Sequence, residues 1–270
     1  MARIYMAYGQ YQKAQPLAER ALGMAMKNDV PNIELANCLS DLAYIYKGQG
    51  RLNGAENLYQ MALKLQRKEY YQNHPYIAYT LSNMSSVYRA QGDFESAGRS
   101  IDDAIDIMLT CHLPDNRAMV LFYVEKAKVL ISENQLSQAE HYYAKAVEIA
   151  KSNYGLEHLY TAQVLAGVAE LYTLQKRYYE AEDLIEKSLK VQEKIYGLSH
   201  PLLTEAWLTG AKIYSARNQD SKAKAFIHKA MSAAQKSGDI LAVTRLKQQV
   251  SALQQAGKES YPPVAKNNNF

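Results

Sequence analysis

The six histidines and two cysteines of this chain are the first residues to consider as metal ligands or nucleophiles. A zinc ion needs several such ligands at once, each about 2 Å away. Three of the six histidines occupy one loop position of a repeat, and successive copies of that position lie on the order of 10–20 Å apart. We therefore interpret these histidines as markers of the repeat and expect no metal site. Their segments are Tyr70…His74-Pro75, Tyr154-Gly155…His158 and Tyr196-Gly197…His200-Pro201.

Other signatures of catalysis are missing from the sequence. Cys38 and Cys111 are far apart in sequence, with no CxxC pattern and no histidine at ligand spacing. We interpret them as buried or idle thiols, and the alternatives are a disulfide or a nucleophile. The chain has no HExxH, no GxSxG and no glycine-rich phosphate loop. We expect a protein without catalytic activity and without a cofactor.

Charge and hydropathy restrict the partners and the cellular locations that the chain could have. The formal net charge of +4 is too small to require nucleic acid. The charge is uneven, because residues 203–270 carry 10 lysines and arginines against 4 carboxylates. No apolar run approaches the roughly 20 residues of a membrane span, and the first residues lack the features of a secretory signal. We predict a cytoplasmic protein that does not enter a membrane.

A sequence repeat determines where the loop histidines and the apolar residues lie along the chain. Six landmark positions lie 41 or 42 residues apart, and a period of this size is typical of stacked-repeat proteins. A small residue follows nine positions after each landmark, and another follows sixteen positions after it. The landmarks are Tyr5, Tyr46, Tyr88, Leu130, Tyr172 and Tyr214; the small residues are Ala14, Ala55, Ala97, Ala139, Ala181 and Ala223, then Ala21, Ala62, Ala104, Ala146, Ser188 and Ala230.

Each repeat is predicted to be a pair of helices. In the second repeat, Leu39, Leu42 and Tyr46 lie on one helical stripe, which ends at the turn Gly48-Gln-Gly50. A second stripe then includes Ala55 and Ala62. Small residues at these two positions let the paired helices approach closely, so larger side chains there should cost about 1–3 kcal/mol each.

On these residues the chain resembles the tetratricopeptide-repeat family. The aromatic residue in the first helix and the paired alanines are hallmarks of that family, and the 42-residue length and the Tyr-Gly-Leu-Ser-His-Pro loop resemble its kinesin-light-chain-like variety. The resemblance extends from residue 1 to about residue 239. It implies an all-α, right-handed superhelical solenoid of antiparallel helix pairs with a C-terminal capping helix.

The expected domain organisation follows the landmarks. The first repeat is partial, so either the protein begins on a partial repeat or the chain is a piece of a longer array, and we favour the second interpretation. Self-association through the exposed end near Ile4 and Tyr5 is a further expectation. The predicted units are 1–34 (partial repeat), 35–76, 77–117, 118–160 (divergent), 161–202 and 203–238, followed by a capping helix at 239–256 and a disordered tail at 257–270.

The resemblance also indicates where a ligand would bind. In this family the first helices line a concave groove, and residues between the packing positions face it. Asn83 matches an asparagine of the light-chain-type groove, and such an amide can bond a peptide backbone through both its donor and its acceptor. The predicted groove residues are Asn37, Ser40, Asp41, Tyr44, Lys47, Tyr79, Ser82, Asn83, Ser86, Arg89, Glu125, Lys128, Gln163, Glu170, Thr209 and Lys212.

The family's carboxylate clamp is missing, because the critical position of successive repeats holds Asp41, Asn83, Glu125, Gly167 and Thr209. Our principal hypothesis is therefore a scaffold that binds a peptide or helix of a partner protein in the groove. Two alternatives remain open: a regulatory sensor module of a larger signalling protein, and nucleic-acid binding through residues 203–270.

Overall fold

The computed structural model of the chain describes residues 1–28, 30–70, 73–111, 117–198, 200–237, 243–244 and 246–251, and the regular structure in these ranges is helical throughout. Residues 243–244 and 246–251 are helical, whereas the predicted tail at 257–270 lies outside the described residues. The helices are α1 Ala2–Ala7, α2 Tyr11–Lys27, α3 Asn32–Gly48, α4 Leu52–Glu69, α5 Pro75–Gln91, α6 Phe94–Thr110, α7 Met119–Ser132, α8 Leu136–Tyr154, α9 Leu159–Leu174, α10 Tyr178–Tyr196, a 3₁₀ turn at Pro201–Leu203, α11 Thr204–Ala216 and α12 Asp220–Ser237.

The helices form two layers. Each odd-numbered helix pairs with the even-numbered helix that follows it, and from α3 to α11 each odd-numbered helix also contacts the next odd-numbered one. Within the described ranges, successive even-numbered helices make at most marginal contact. Because the odd-numbered helices contact one another and the even-numbered helices are spread apart, the array curves, and the odd-numbered helices form its concave side. The predicted all-α solenoid of helix pairs is confirmed.

The small residues of the repeat lie between the paired helices, as predicted. Ala55 and Ala62 are fully buried, and so are their equivalents in the next three repeats. Ala21 is the exception, because it is exposed. The reason is the shortness of α1, which has 6 residues where α3 has 17, so no first helix extends over Ala21.

One turn geometry closes every helix pair. The fourth residue after each landmark has a positive φ between 58° and 85°, and the backbone N–H of the fifth donates to the landmark carbonyl at 2.8–3.0 Å. This is the hydrogen bond that caps a helix ending in a left-handed residue. Glycine holds the position in the first three repeats, but Asn134, Lys176 and Asn218 hold it in the last three. The left-handed conformation of these three residues was not predicted from the sequence.

The C-terminal cap covers the last apolar face. Leu246 and Val250 are 2% and 9% exposed and belong to the buried cluster that contains Trp207 and Ala230. A terminal helix of this kind is what an array of stacked repeats requires at its end.

The N-terminal turn of the array meets the loop before its last helix pair. Tyr8, in the turn after α1, has its ring centre 5.0 Å from that of His200, in the loop before the 3₁₀ turn. Residues almost two hundred positions apart are therefore in contact.

The three loop histidines cap helices. The Nδ1 atom of each accepts the backbone N–H two residues ahead, and the donors are Tyr76, Tyr160 and Leu202, each at 3.2 Å. Each imidazole also stacks on the tyrosine that precedes it, with ring centres 3.7–4.6 Å apart. Pro75 and Pro201 occupy the first positions of the elements that follow, where proline is well tolerated. The histidines thus set the entry angle of the first helices.

Capping by His200 should make stability depend on pH. Burial lowers the pKa of His200 below its usual value, because the charged form is disfavoured there. The unfolded chain therefore binds a proton at this imidazole more readily than the folded protein does. The contribution of neutral His200 to the free energy of unfolding is complete above about pH 6.5, and it is lost as the pH falls through the lower pKa of the folded state. We expect a loss of less than about 1 kcal/mol, below the usual value of a helix cap, because the imidazole is partly exposed to solvent. Denaturant unfolding at pH 7.5 and 5 should show this loss in the wild type but not in His200→Asn, which caps without titrating; equal losses would contradict it.

Candidate functional site

The predicted groove residues share the inner face, which we define as the solvent-facing side of α3, α5, α7, α9 and α11. Most are half-buried, whereas Asn37, Tyr79 and Gln163 are exposed and Thr209 is only 6% exposed. Side chains from neighbouring helices touch across this face. Lys47 Nζ donates to Ser86 Oγ at 2.9 Å, Arg89 Nε lies 3.0 Å from Glu125 Oε1, and Lys212 Nζ lies 4.0 Å from Glu170 Oε1. The five helices therefore present one continuous surface.

Lys47 is the most perturbed group of the inner face. Its Nζ also lies 4.9 Å from the ring centre of Tyr44. Burial lowers the pKa of Lys47 to about 8, and the charges of Lys128 and Arg89 act in the same direction, while Glu125 opposes them. No carboxylate of the described residues is within ion-pair distance of Lys47. This part of the groove therefore has an excess of positive charge.

The second half of the inner face is a cavity of about 340 Å³ between α7, α9 and α11. Four predicted residues line it: Lys128, Gln163, Glu170 and Thr209. Glu205 also lines it, and although its side chain is accessible to solvent, it lies inside a concave wall. Desolvation raises the pKa of Glu205, and the nearby Glu170 carboxylate raises it further. Glu170 and Glu205 are the carboxylates of this half, and Lys128 and Lys212 lie near Glu205.

The cavity also has apolar walls, which the sequence analysis missed. They are formed by Val120, Leu121, Val124, Tyr160 and Leu202. Leu121 and Tyr160 are 51% and 46% exposed. Position in the repeat would have identified two of these residues, because Leu121 and Val124 occupy in α7 the places that Asn37 and Ser40 occupy in α3. The site is thus a mixture of apolar surface and polar groups, as ligand grooves usually are.

Several predicted residues already have partners within the chain. Asp41 pairs with Arg3 at 2.8 Å, and the ring centre of Tyr79 lies 5.3 Å from that of Phe122. Ser40 Oγ is buried. In contrast, the side-chain amides of Asn37, Asn83 and Gln163 make no hydrogen bond within the described part of the chain. Asn83 is the most informative of the three, because it is half-buried and unpaired.

Two tyrosine hydroxyls lie beneath the groove without a hydrogen-bond partner among the described residues. Tyr59 and Tyr143 are 0% and 1% exposed. Burial raises the pKa of both phenols, with smaller contributions from nearby acidic groups. A Cβ at Gly167 would lie 2.6 Å from Tyr143 Oη, so glycine is required above this ring.

Removing the Tyr143 hydroxyl should therefore stabilise the protein. A buried hydroxyl that loses its bonds to water costs about 1–3 kcal/mol, and Tyr143→Phe removes that cost while keeping the ring. We expect the free energy of unfolding in urea to rise by about 1 kcal/mol. Tyr172→Phe provides the control, since its hydroxyl contacts Glu140 and Arg177 and the substitution should not stabilise. A fall in stability for Tyr143→Phe would show that the hydroxyl is satisfied.

The structure gives less support for binding at the basic C-terminal region or at the apolar N-terminal end. Arg217 pairs with Glu182, and Lys229 Nζ lies 4.0 Å from the Trp207 ring centre. Since these cations are engaged within the protein, nucleic-acid binding stays a hypothesis. Ile4 is 55% exposed, and self-association there stays a prediction.

No helix in the described ranges is both long and apolar enough to cross a membrane. Within these ranges, no group of three or more His, Cys, Asp or Glu side chains could hold a metal ion.

Comparisons with known proteins agree with the fold. Residues 1–158 match the family model described as the MalT-like TPR region, and residues 162–236 match the model described as the tetratricopeptide repeat. Tetratricopeptide repeat protein 19, mitochondrial, of Rattus norvegicus is 24% identical over 154 residues. That match covers 56% of this chain and 41% of the rat protein, so the chain spans well under half of its curated relative. The prediction of a cytoplasmic location stays a prediction.

Three solved structures have a similar fold. BtubC (BKLC) from P. vanneervenii has a TM-score of 0.62 at 19% identity, with 96% of each chain covered. A putative kinesin light chain with nearly identical TPR-like repeats, from Podosopora anserina, has a TM-score of 0.54 at 22% identity, covering 72% of this chain and 92% of the other. NprR in complex with its cognate peptide NprX has a TM-score of 0.69 at 14% identity, covering 97% and 75%.

Proposed function

The chain belongs to the tetratricopeptide-repeat family, and on that premise we propose that it is a non-catalytic scaffold that holds a peptide segment of a partner protein against the inner face. The observation that supports this most directly is the state of Asn83. Its half-buried amide is unpaired within the described residues, next to the Lys47–Ser86 contact on a curved wall. An extended backbone could pair with both ends of this amide.

Charge suggests how such a segment would lie. Lys47 has no carboxylate partner in the described part of the chain. At the other end, Glu205 has no ion-pair partner among the described residues and lines the cavity between α7, α9 and α11 with Glu170 and Lys128. A segment with a carboxylate towards α3 and α5 and a basic group towards α11 would complement both. Since the inner face is preformed, little ordering cost falls on the scaffold, which favours affinity.

A peptide selection tests the proposal. Peptides selected from a displayed library on the intact chain would be measured for affinity with Tyr44→Ala/Asn83→Ala and with the control Gln60→Ala/Met61→Ala, which alters exposed residues of α4. We expect the dissociation constant to rise at least about tenfold in the first variant and to stay within about twofold in the second. The thermal midpoint should change by less than about 3 °C in both. Unchanged affinity in the groove variant would refute binding at the inner face.

A regulatory sensor is a second candidate, favoured by the Tyr8–His200 contact. A ligand that changes the curvature of the array would separate these rings, and the effect would reach both ends of the chain. Small-angle scattering with and without a selected peptide tests this. A change in the radius of gyration supports a sensor, and an unchanged radius with full occupancy supports a simple scaffold.

A further inference from the structure

A second groove lies on the outer face, between the even-numbered helices α8 and α10. These two helices make no more than marginal contact in the described ranges, and both pack on α9. The space between them forms two adjoining cavities of about 720 and 620 Å³, which share Lys151, Leu165 and Leu184. We call this continuous space the outer trough. Helices α8 and α10 have 19 residues each, so the trough extends over about 28 Å.

The outer trough has an apolar floor and an apolar rim. Leu165 and Val168 from α9 are on its floor, and Leu184 from α10 is on its wall. Leu156 and Ile195 at the rim are 61% and 50% exposed. Exposed apolar side chains that converge on a groove usually mark an interaction site.

One end of the outer trough is basic. Lys151, Lys190 and Lys194 line it with Glu157, and among the described residues these three lysines make no ion pair. Lys187 is different, because it pairs with Asp183 at 2.6 Å. Three uncompensated ammonium groups at the rim of an apolar surface attract an acidic partner.

The opposite end is acidic. It is lined by Glu140, Glu148, Glu180 and Asp183. Arg177 compensates two of them, at 2.7 Å from Glu140 and 2.6 Å from Glu180, but Glu148 has no partner among the described residues. Acidic groups near helix starts and basic groups near helix ends do complement helix dipoles. Such complementation is not general in this array, since α6 carries Asp102, Asp103 and Asp106 in its second half.

From this arrangement we infer that the outer trough binds an amphipathic helix of a partner protein, with acidic residues in the first turns of that helix. Its apolar stripe fills the floor between α8 and α10, as in other helix-in-groove complexes. Its acidic start lies over Lys151, Lys190 and Lys194. The bound helix therefore runs antiparallel to α8 and α10, an orientation that also opposes the helix dipoles favourably. This site is separate from the inner face and does not depend on the function proposed above.

Two synthetic peptides test the inference. Each has 18 residues and the same apolar positions at helical spacing; one has three glutamates in its first turn and three lysines in its last, and the other has these ends exchanged. Affinity for the full chain would be measured by fluorescence anisotropy at low salt. We expect the first peptide to bind about tenfold more tightly, since each exposed charge pair contributes modestly and three act together. The difference should shrink as salt is raised.

Matched variants locate the site. Lys151→Glu/Lys190→Glu/Lys194→Glu should reverse the preference between the two peptides. Lys64→Glu/Lys68→Glu/Lys224→Glu makes the same change of charge at other exposed lysines and should leave the preference intact. Tyr44→Ala/Asn83→Ala, on the inner face, should also leave it intact. All of these side chains except Tyr44 and Asn83 are exposed, and circular dichroism would confirm folding. Equal affinities, no binding of either peptide, or a preference that survives the first triple variant would overturn the inference.

Discussion

Replacing Phe122 with alanine should lower the free energy of unfolding by about 3–5 kcal/mol and divide one thermal transition into two. Phe122 is fully buried in α7 and belongs to the cluster that includes Ala43, Ile77 and Ile101. Other residues of α7, Val120 and Leu130 among them, belong to the next cluster along the array. Helix α7 is therefore the joint between two large parts of the core, and each repeat contacts only its neighbours. A cavity at the joint weakens the coupling between the two parts.

Calorimetry and hydrogen exchange would measure both effects. Leu121→Ala is the matched control, because Leu121 is adjacent in α7 and 51% exposed, and its removal should cost less than about 0.5 kcal/mol. In Phe122→Ala, the amides of α3–α6 and those of α9–α12 should lose protection at different denaturant concentrations. A single transition with a small loss of stability would show that α7 is not the joint.

Replacing Trp207 with alanine should cost a similar amount, about 3–5 kcal/mol, but with a different pattern. Trp207 is 2% exposed, and its ring meets that of Phe226 edge to face with centres 4.9 Å apart. Trp207 lies near the C-terminal end of the array. The cavity left by its replacement therefore weakens the packing of the last helix pair and leaves the other interfaces between repeats unchanged. We expect α11 and α12 to lose exchange protection first, while α3–α6 keep theirs.

The control for Trp207→Ala is Trp207→Phe, which keeps an aromatic ring against Phe226 and should cost roughly half as much. Because Trp207 is the only tryptophan, its fluorescence cannot report on the variants, and hydrogen exchange is the suitable measurement. Uniform loss of protection over the whole chain would mean that the array unfolds as one cooperative unit. That result would also contradict the interpretation given for Phe122.

The fold could be predicted because its information is local and repeated. The landmark spacing and the small residues at Ala55 and Ala62 define helix pairs without any long-range knowledge. The turns could be predicted less completely, since glycine marks them in three repeats but Asn134, Lys176 and Asn218 do so in the others. There the hydrogen bond to the landmark carbonyl holds a non-glycine residue in the left-handed conformation. Asparagine tolerates that conformation, so Asn134 and Asn218 carry a weak signal, whereas Lys176 carries none.

The site was harder to predict, because sequence position gives the face of a helix but not what else reaches that face. Asp41 and Asn83 occupy equivalent positions in their repeats. Arg3 pairs with Asp41, whereas the side chain of Asn83 has no hydrogen-bond partner among the residues that the structure describes. The apolar wall at Leu121 and the outer trough between α8 and α10 depend on how far neighbouring repeats spread. That spacing is a property of the assembled curve, which no single repeat encodes.

The contact between Tyr8 and His200 bears on kinetics. It joins the turn after α1 to the loop before the last helix pair, so we expect a long polypeptide to reach the inner face from fewer directions. Such a ligand would thread along the superhelix axis or bind after the two rings separate. Association with an inner-face ligand should then be slower than the usual 10⁵–10⁷ M⁻¹s⁻¹ of protein encounters, and Tyr8→Ala should accelerate it without changing the contacts made once the ligand is bound. The length of the array would in this way control the rate of association as well as recognition.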